Sequence, residues 1–307
     1  MIPLIIILFI IIAILAISYI TYRMAFYNPI EGRDNYYDLP QGEQYEPLWP
    51  QMTTMIDSML ETKFEEVYIT SHDGKQLFGR YFHVSDDAPL EIQFHGYKST
   101  AFRDYCGGSQ LAHRLGYNEL LIDQRSHGKS EGNTITFGIR ERKDCLSWIK
   151  YASERFGKDK PIILSGLSMG AATVLMVNDL DLPDNVIGIV ADCPFSSPKA
   201  IIKKVCKDMG YPPNITFPFI ALGAFLFGHF NIYESSAIKA VEHAKVPILL
   251  IHGDDDRYVP YYMSCEIHKK RPELIQFHTF PNAGHGICYL EDTERYEKLV
   301  KEFINNL

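Results

Sequence analysis

A chain of 307 residues in which 46% of side chains are hydrophobic is long enough for one large domain with a full apolar core and an appendage. The formal net charge of −8 leaves no basic footprint, so nucleic acid is excluded as a partner. Six cysteines (Cys106, Cys145, Cys193, Cys206, Cys265, Cys288) show neither a disulfide framework nor a Cys/His zinc spacing, which points to reduced thiols acting as small hydrophobes.

Met1 to Ile20 carry no charge and are dominated by Ile and Leu, with Tyr19, Tyr22 and Arg23 at the end. At about 1.5 Å per residue, a helix of roughly 20 residues spans the ~30 Å hydrocarbon core, with tyrosines in the interfacial belt. Residues 1–22 therefore read as a single-pass transmembrane anchor. A cleaved signal peptide is the competing reading, but the amino end has no basic side chain, and only Ala16-Ile17-Ser18 resembles a cleavage site. Arg23 and Arg33 both lie on the C-terminal side of the span, so the positive-inside tendency places the following domain in the cytoplasm at the cell membrane. Residues 23–63, rich in Tyr, Pro, Gly and acidic groups, read as a juxtamembrane linker that packs onto the domain, with a short helix over Gln51 to Leu60.

The domain proper is expected over 64–307. Phe64 to Thr70 and Gln76 to Val84 flank the turn signature Ser71-His72-Asp73-Gly74 and should form an antiparallel hairpin. Strands at Leu90 to Phe94, Glu119 to Asp123, Ile162 to Leu164 and Val186 to Ala191 then alternate with helices around Tyr105 to Leu115, Ile139 to Phe156 and after Ser168. That rhythm implies right-handed crossovers and a mostly parallel sheet covered on both faces, with ligands at the carboxyl ends of its strands.

The rhythm stops at about 196–244 and resumes with Val246 to Ile251, Leu274 to Phe280 and a closing amphipathic helix over Glu291 to Leu307. Within the interruption, Ile215 to Phe230 is apolar and aromatic but broken by Pro218, Gly223 and Gly228, too short for a second span and suited to a helical cap with an inward apolar face. Phe217, Phe225 and Phe227 are its expected substrate-facing side chains.

Chemistry concentrates in Pro161 to Gly170, where an apolar strand runs into Gly166-Leu167-Ser168-Met169-Gly170 and then small helix-compatible residues. A serine hydroxyl needs exposure at a strained turn, a base within reach and N–H groups aimed at a developing oxyanion before it becomes a nucleophile. Glycines two residues to either side leave room for such a turn. Downstream, His252-Gly253-Asp254-Asp255-Asp256 follows one strand and Gly284-His285-Gly286 another; among 11 histidines, His285 is on the loop freest to swing toward a serine.

Gly-x-Ser-x-Gly between a strand and a helix, followed in chain order by an acid and a histidine, resembles the α/β-hydrolase superfamily of serine esterases, lipases and peptidases. The resemblance runs from about Phe64 to the C-terminus. It implies an α/β-hydrolase fold with a helical cap, Ser168 as nucleophile, His285 as base and Asp256 as the triad acid, with Asp255 in reserve and Asp254 as turn former. It also implies an oxyanion hole from the backbone N–H groups of Tyr97 and Met169. Asp123-Gln124-Arg125 through Ser130 resembles the family's D-x-R-x-x-G-x-S scaffold loop, within which Asp123 and Arg125 are expected to pair. His95 is expected to be structural.

The implied reaction is ester hydrolysis through an acyl-enzyme, on substrates with an apolar acyl or alcohol part, with no metal or organic cofactor. A prolyl-aminopeptidase-like serine peptidase and a thioesterase share the machinery and stay open, with a non-catalytic membrane scaffold as a remote alternative. Oligomeric state is not legible.

Overall fold

The computed structural model of the protein describes residues 2–307. Eight strands, β1 (Glu65–Thr70), β2 (Gln76–Phe82), β3 (Leu90–Phe94), β4 (Asn118–Asp123), β5 (Ile162–Leu167), β6 (Val186–Asp192), β7 (Ile248–Gly253) and β8 (Ile275–Phe280), form one sheet in the order β1-β2-β4-β3-β5-β6-β7-β8. β2 runs antiparallel to β1 and β4, and all other pairs are parallel. Every residue of β4 and β7 is buried, as expected when helices cover both faces and a strand needs no polar side.

The helices are α1 (Ile2–Ala25), α2 (Trp49–Glu61), α3 (Ala101–Asp104), α4 (Cys106–Arg114), α5 (Glu141–Phe156), α6 (Met169–Met176), α7 (Pro198–Asp208), α8 (Pro213–Leu226), α9 (Ala237–Ala240), α10 (Tyr262–His268), α11 (Cys288–Glu291) and α12 (Thr293–Ile304). The helix expected around Tyr105 to Leu115 is α4, and a short helix that was not expected, α3, precedes it. The Thr100 hydroxyl caps a first turn by accepting the Arg103 N–H, and Tyr105 then leaves helical geometry before α4 begins.

Helix α1 has 24 residues, with a mean hydropathy of 3.1 over its most apolar 18, and is long and apolar enough to cross a membrane. It extends beyond the expected boundary at residue 22, and its last third is packed into the domain. Residues 2–13 are exposed, whereas Ser18 and Tyr22 are buried against α8. A Cβ on Gly223 of α8 would sit 2.3 Å from the Ser18 carbonyl oxygen, so the two helices meet backbone to backbone. Beyond that contact the Tyr22 hydroxyl lies 2.7 Å from Thr134 Oγ1, and Phe26 packs edge-on to Phe137 and Phe230.

The segment after α1, expected to pack onto the domain, lies against it. Met52, Ile56 and Met59 of α2 join a buried cluster with Phe82, Phe102 and Tyr105, and the Gln44 amide donates to the Asp255 carboxylate at 2.9 Å.

Around the scaffold loop after β4, the expected Asp123–Arg125 pair does not form. Asp123 accepts from the buried Arg80 on β2 at 2.9 Å, while Arg125 points to the other side of the loop and bonds Asp144 on α5 at 2.6 Å and Asp73 at 3.0 Å. Residues two apart near a strand end project in similar directions, but here the chain has already turned. Each charge instead meets a partner on a different element, and both buried cations are neutralised.

The tightest backbone contact in the sheet is at the start of α6. A Cβ on Gly170 would lie 1.7 Å from the Phe94 carbonyl oxygen, and one on Gly166 2.4 Å from the Gly170 carbonyl carbon. Neither neighbour can yield, because both are backbone. Gly170→Ala should therefore destabilise the fold by about 3 kcal/mol or more, at the upper end of overpacking costs, seen as a large drop in the thermal midpoint of the detergent-solubilised protein. A midpoint within a degree or two of wild type would contradict this packing.

Candidate active site

Ser168 occupies the turn between β5 and α6 with φ 55° and ψ −112°, a conformation costly for a side chain with a Cβ. The glycine contacts impose it: with Gly170 seated on β3, the chain can enter α6 only by a sharp reversal at residue 168. The turn lifts the Ser168 hydroxyl off the carboxyl edge of the sheet and leaves the Met169 N–H at the first turn of a helix, where it has no intrahelical acceptor.

His285 reaches Ser168 from the loop after β8, with Nε2 2.8 Å from Oγ. Its Nδ1 lies 2.7 Å from Asp256 Oδ2 on the loop after β7. Because the carboxylate only accepts, Nδ1 carries the hydrogen and Nε2 is left to accept from the serine hydroxyl. The other carboxylate oxygen of Asp256 accepts the N–H groups of Tyr258 and Val259 at 2.8 and 2.7 Å. Burial alone would raise the Asp256 pKa, but the His285 charge and the hydrogen bonds from His252 and His285 outweigh it and hold the carboxyl well below the usual carboxylate range. In return, although burial disfavours the imidazolium, the Asp256 charge prevails and raises His285 above the ordinary 6.5.

The three consecutive aspartates are sorted by direction. Asp254 Oδ1 accepts the Asn282 N–H at 2.6 Å and ties the two loops together, while Asp255 faces Gln44 and Arg257 at the rim. Only Asp256 turns inward to His285. Behind it stands a group that sequence reading missed as a site residue. His252, fully buried, places Nε2 2.9 Å from the Val259 carbonyl and 3.1 Å from Asp256 Oδ2, and its Nδ1 lies 2.6 Å from the Ser264 hydroxyl. The pattern His-Gly-x-x-Asp was the available signal.

The loop after β3 presents Tyr97 to the same space. Its neighbours are committed: the Gly96 N–H donates to Asp104 at 2.7 Å and the Lys98 N–H to His127 Nε2 at 3.0 Å. Among the described residues the Tyr97 N–H donates to none. His95 is buried and accepts the Gln124 N–H at 3.0 Å, a scaffold contact away from the serine. The Tyr97 side chain stacks on Phe137 and donates its hydroxyl to the Ala25 carbonyl at 2.9 Å, so the last turn of α1 is bonded to this loop.

The sequence pattern of the prolyl oligopeptidase family matches residues 135–307, more than half of the chain, and takes in the serine, the acid and the histidine. The chain belongs to that family. It is similar to the uncharacterized protein YqkD of Bacillus subtilis, 27% identical over 63% of this chain and 64% of that one. It is also similar to the lysophosphatidylserine lipase ABHD12 of Danio rerio, 25% identical over 70% of this chain and 58% of that one. It thus spans less than two thirds of either relative's length. Among solved structures, the Pyrococcus furiosus esterase Pf2001 superposes with a TM-score of 0.64 and 25% identity, over 81% of this chain and 94% of that one. Est1E of Butyrivibrio proteoclasticus, solved with ferulic acid, superposes with a TM-score of 0.60 at 21% identity over 78% and 98% of the two chains, and shares the α/β-hydrolase fold.

In this member of the family two cavities meet at Ser168. One, of about 340 Å³, is mixed in character and lies toward the linker, with Gln41, Ser99, Arg103, Asp104 and Asp192 in its wall beside Met52, Leu167, Ile287 and Leu290. The other, of about 420 Å³, is apolar and lies under the cap and α1, with Phe195, Ile202, Val205, Phe219 and Ile220 in its wall. Phe217, Phe225 and Phe227 are not among its wall residues. Phe217 is buried against Tyr233, Phe225 is 64% exposed, and Phe227 packs edge-on to Tyr19 of α1. A helix repeats every 3.6 residues, so the face of α8 that lines the cavity carries Thr216, Phe219 and Ile220, and the expected phenylalanines project elsewhere. Only the direction of α8, set by its contact with α1, could have chosen among them.

The mutual shifts of Asp256 and His285 give a signed expectation. The aspartate charge stabilises the imidazolium, so His285 should titrate above 6.5 in the folded protein and fall in Asp256→Asn, as followed by NMR of histidine-labelled protein. An unchanged or higher value in that variant would mean the two groups are not coupled.

Proposed function

We propose that the protein is a membrane-anchored serine hydrolase that cleaves carboxylic esters with an apolar acyl part. Ser168 attacks the ester carbonyl, and His285 takes its proton and returns it to the leaving alcohol. Asp256 holds the imidazole tautomer and stabilises the imidazolium, and the N–H groups of Tyr97 and Met169 receive the oxyanion. Water activated by the same histidine then releases the acid. The observation that carries the ester reading is the apolar chamber of about 420 Å³ at Ser168, which suits an acyl chain, while the second cavity, mixed in character and the more polar of the two, leaves room for the alcohol part. The esterase and lipase among its relatives support the same class.

A peptidase of the aminopeptidase kind would need a carboxylate free for the substrate amine; Asp104 in the second cavity is already bonded to Gly96, Ser99 and Arg103, but Asp192 in the same wall keeps Oδ1 without a partner, so amide substrates decide between the two readings. The membrane reading rests on α1, and the cytoplasmic side on Arg23 just beyond the apolar stretch and on six free cysteines.

A fluorophosphonate should label the detergent-solubilised protein, and labelling that survives Ser168→Ala would reject the nucleophile. In a panel of p-nitrophenyl esters set beside aminoacyl amides, the esters should be preferred. Each methylene buried should contribute up to ~0.8 kcal/mol, about fourfold in kcat/KM, until the chamber is full. Faster turnover of the amides would replace the ester reading with the peptidase one.

Asp256→Asn should lower kcat by as much as about 10⁴-fold, whereas Asp255→Asn, at the rim, should change it little. The reverse result would move the acid by one residue.

A further inference from the structure

Helix α1 looks from sequence like a tether, yet the apolar chamber at Ser168 is incomplete without it. Ile17, Ile20, Thr21, Met24 and Ala25 form one wall of that chamber, opposite α7 and α8. The rim is apolar and open: Ile20 is 56% exposed, Met24 49%, Met209 54% and Ile215 65%, and all four also line the interior. A soluble enzyme would present such a mouth to water at a cost, whereas beside a span of hydropathy 3.1 it faces lipid.

Depth points the same way. If α1 crosses a hydrocarbon core of ~30 Å beginning near its amino end, about 20 residues at 1.5 Å each are consumed, and the core reaches to about Thr21. Ile17 and Ile20 then lie on the hydrocarbon side of the boundary and Met24 at its edge, so the mouth of the chamber opens at acyl-chain level. The same last turn of α1 accepts the Tyr97 hydroxyl at Ala25, bonding the wall to the loop that carries the Tyr97 N–H.

Resting on the ester reading above, we propose that α1 is part of the substrate site: the acyl chain of a lipid ester enters sideways from the bilayer between α1 and the cap, and Ile17, Ile20 and Met24 set the chain length accepted. The contact that holds the wall in place is Ser18 against Gly223, where no larger side chain fits.

A long-chain alkyl fluorophosphonate with a diazirine at its far end tests the placement directly on the full-length protein. Ser168 Oγ displaces fluoride, its proton passing to His285, and irradiation then marks whatever surrounds the chain end. Crosslinks to peptides containing Ile17 to Met24 are expected. Crosslinks confined to Pro40, Gln41 and Tyr45 of the other cavity would overturn the proposal.

In parallel, Ile20→Trp and Met24→Trp should fill the chamber. They should lower the ratio of kcat/KM for dodecanoate over acetate p-nitrophenyl esters by at least about tenfold, while Ile6→Trp on the outer face keeps the wild-type ratio. Should a Trp variant fail to take the fluorophosphonate label, Ile20→Ala decides, with an expected shift of the optimum to longer chains. An unchanged ratio in the labelled variants overturns the role of α1 and leaves the esterase reading standing. A wild type that hydrolyses no ester overturns both.

Discussion

The constraint on which the site depends is the seating of Gly170 on the carbonyl end of β3. Two backbones in contact there admit no side chain, and the closeness determines three things together. It forces the reversal at Ser168, it starts α6 with the Met169 N–H unspent, and it brings that N–H toward the loop holding Tyr97. The strain at Ser168 is tolerated because the buried helix α6 and the hydrogen-bonded strand β5 define the positions on either side. Backbone N–H groups held this way need no reorganisation to meet a developing negative charge.

The second requirement is a carboxylate that stays charged while out of water. Asp256 meets it with two backbone N–H donors, His252 and His285, so every lone pair with a strong claim is satisfied and the charge is spread over fixed dipoles. His252 is itself pinned by Ser264 and the Val259 carbonyl, which prevents the network from turning toward solvent. Asp254 and Asp255, with the same chemistry one and two residues away, cannot substitute because their side chains leave the turn in other directions.

Around this centre the α/β-hydrolase fold supplies only the floor. The cavity of mixed character is bordered by Pro40, Gln41 and Tyr45, and the apolar one is walled by α1, α7 and α8, none of which belongs to the sheet and its covering helices. The candidate site thus sits between two peripheral segments, of which the one formed by α1, α7 and α8 is the more apolar.

Much of the fold was legible because it is written in short-range patterns. The β3 strand at Leu90 to Phe94 and the hairpin around Ser71 to Gly74 follow from β-branched and apolar runs and turn chemistry, and α1 from uninterrupted hydropathy. The candidate residues Ser168, Asp256 and His285 were legible for another reason: each sits in a turn whose glycines or neighbours are required locally, and the resemblance supplied their order. What only the tertiary structure decided concerns direction across long distances. Asp123 pairs with Arg80 and not Arg125, Phe219 and not Phe217 lines the apolar cavity beside Ser168, and the end of α1 becomes a wall of that cavity. A sequence states which side chains an element carries, but the rotation of a helix about its axis is set by what it packs against, here a glycine on α8 against a serine carbonyl on α1 more than two hundred residues away in the chain.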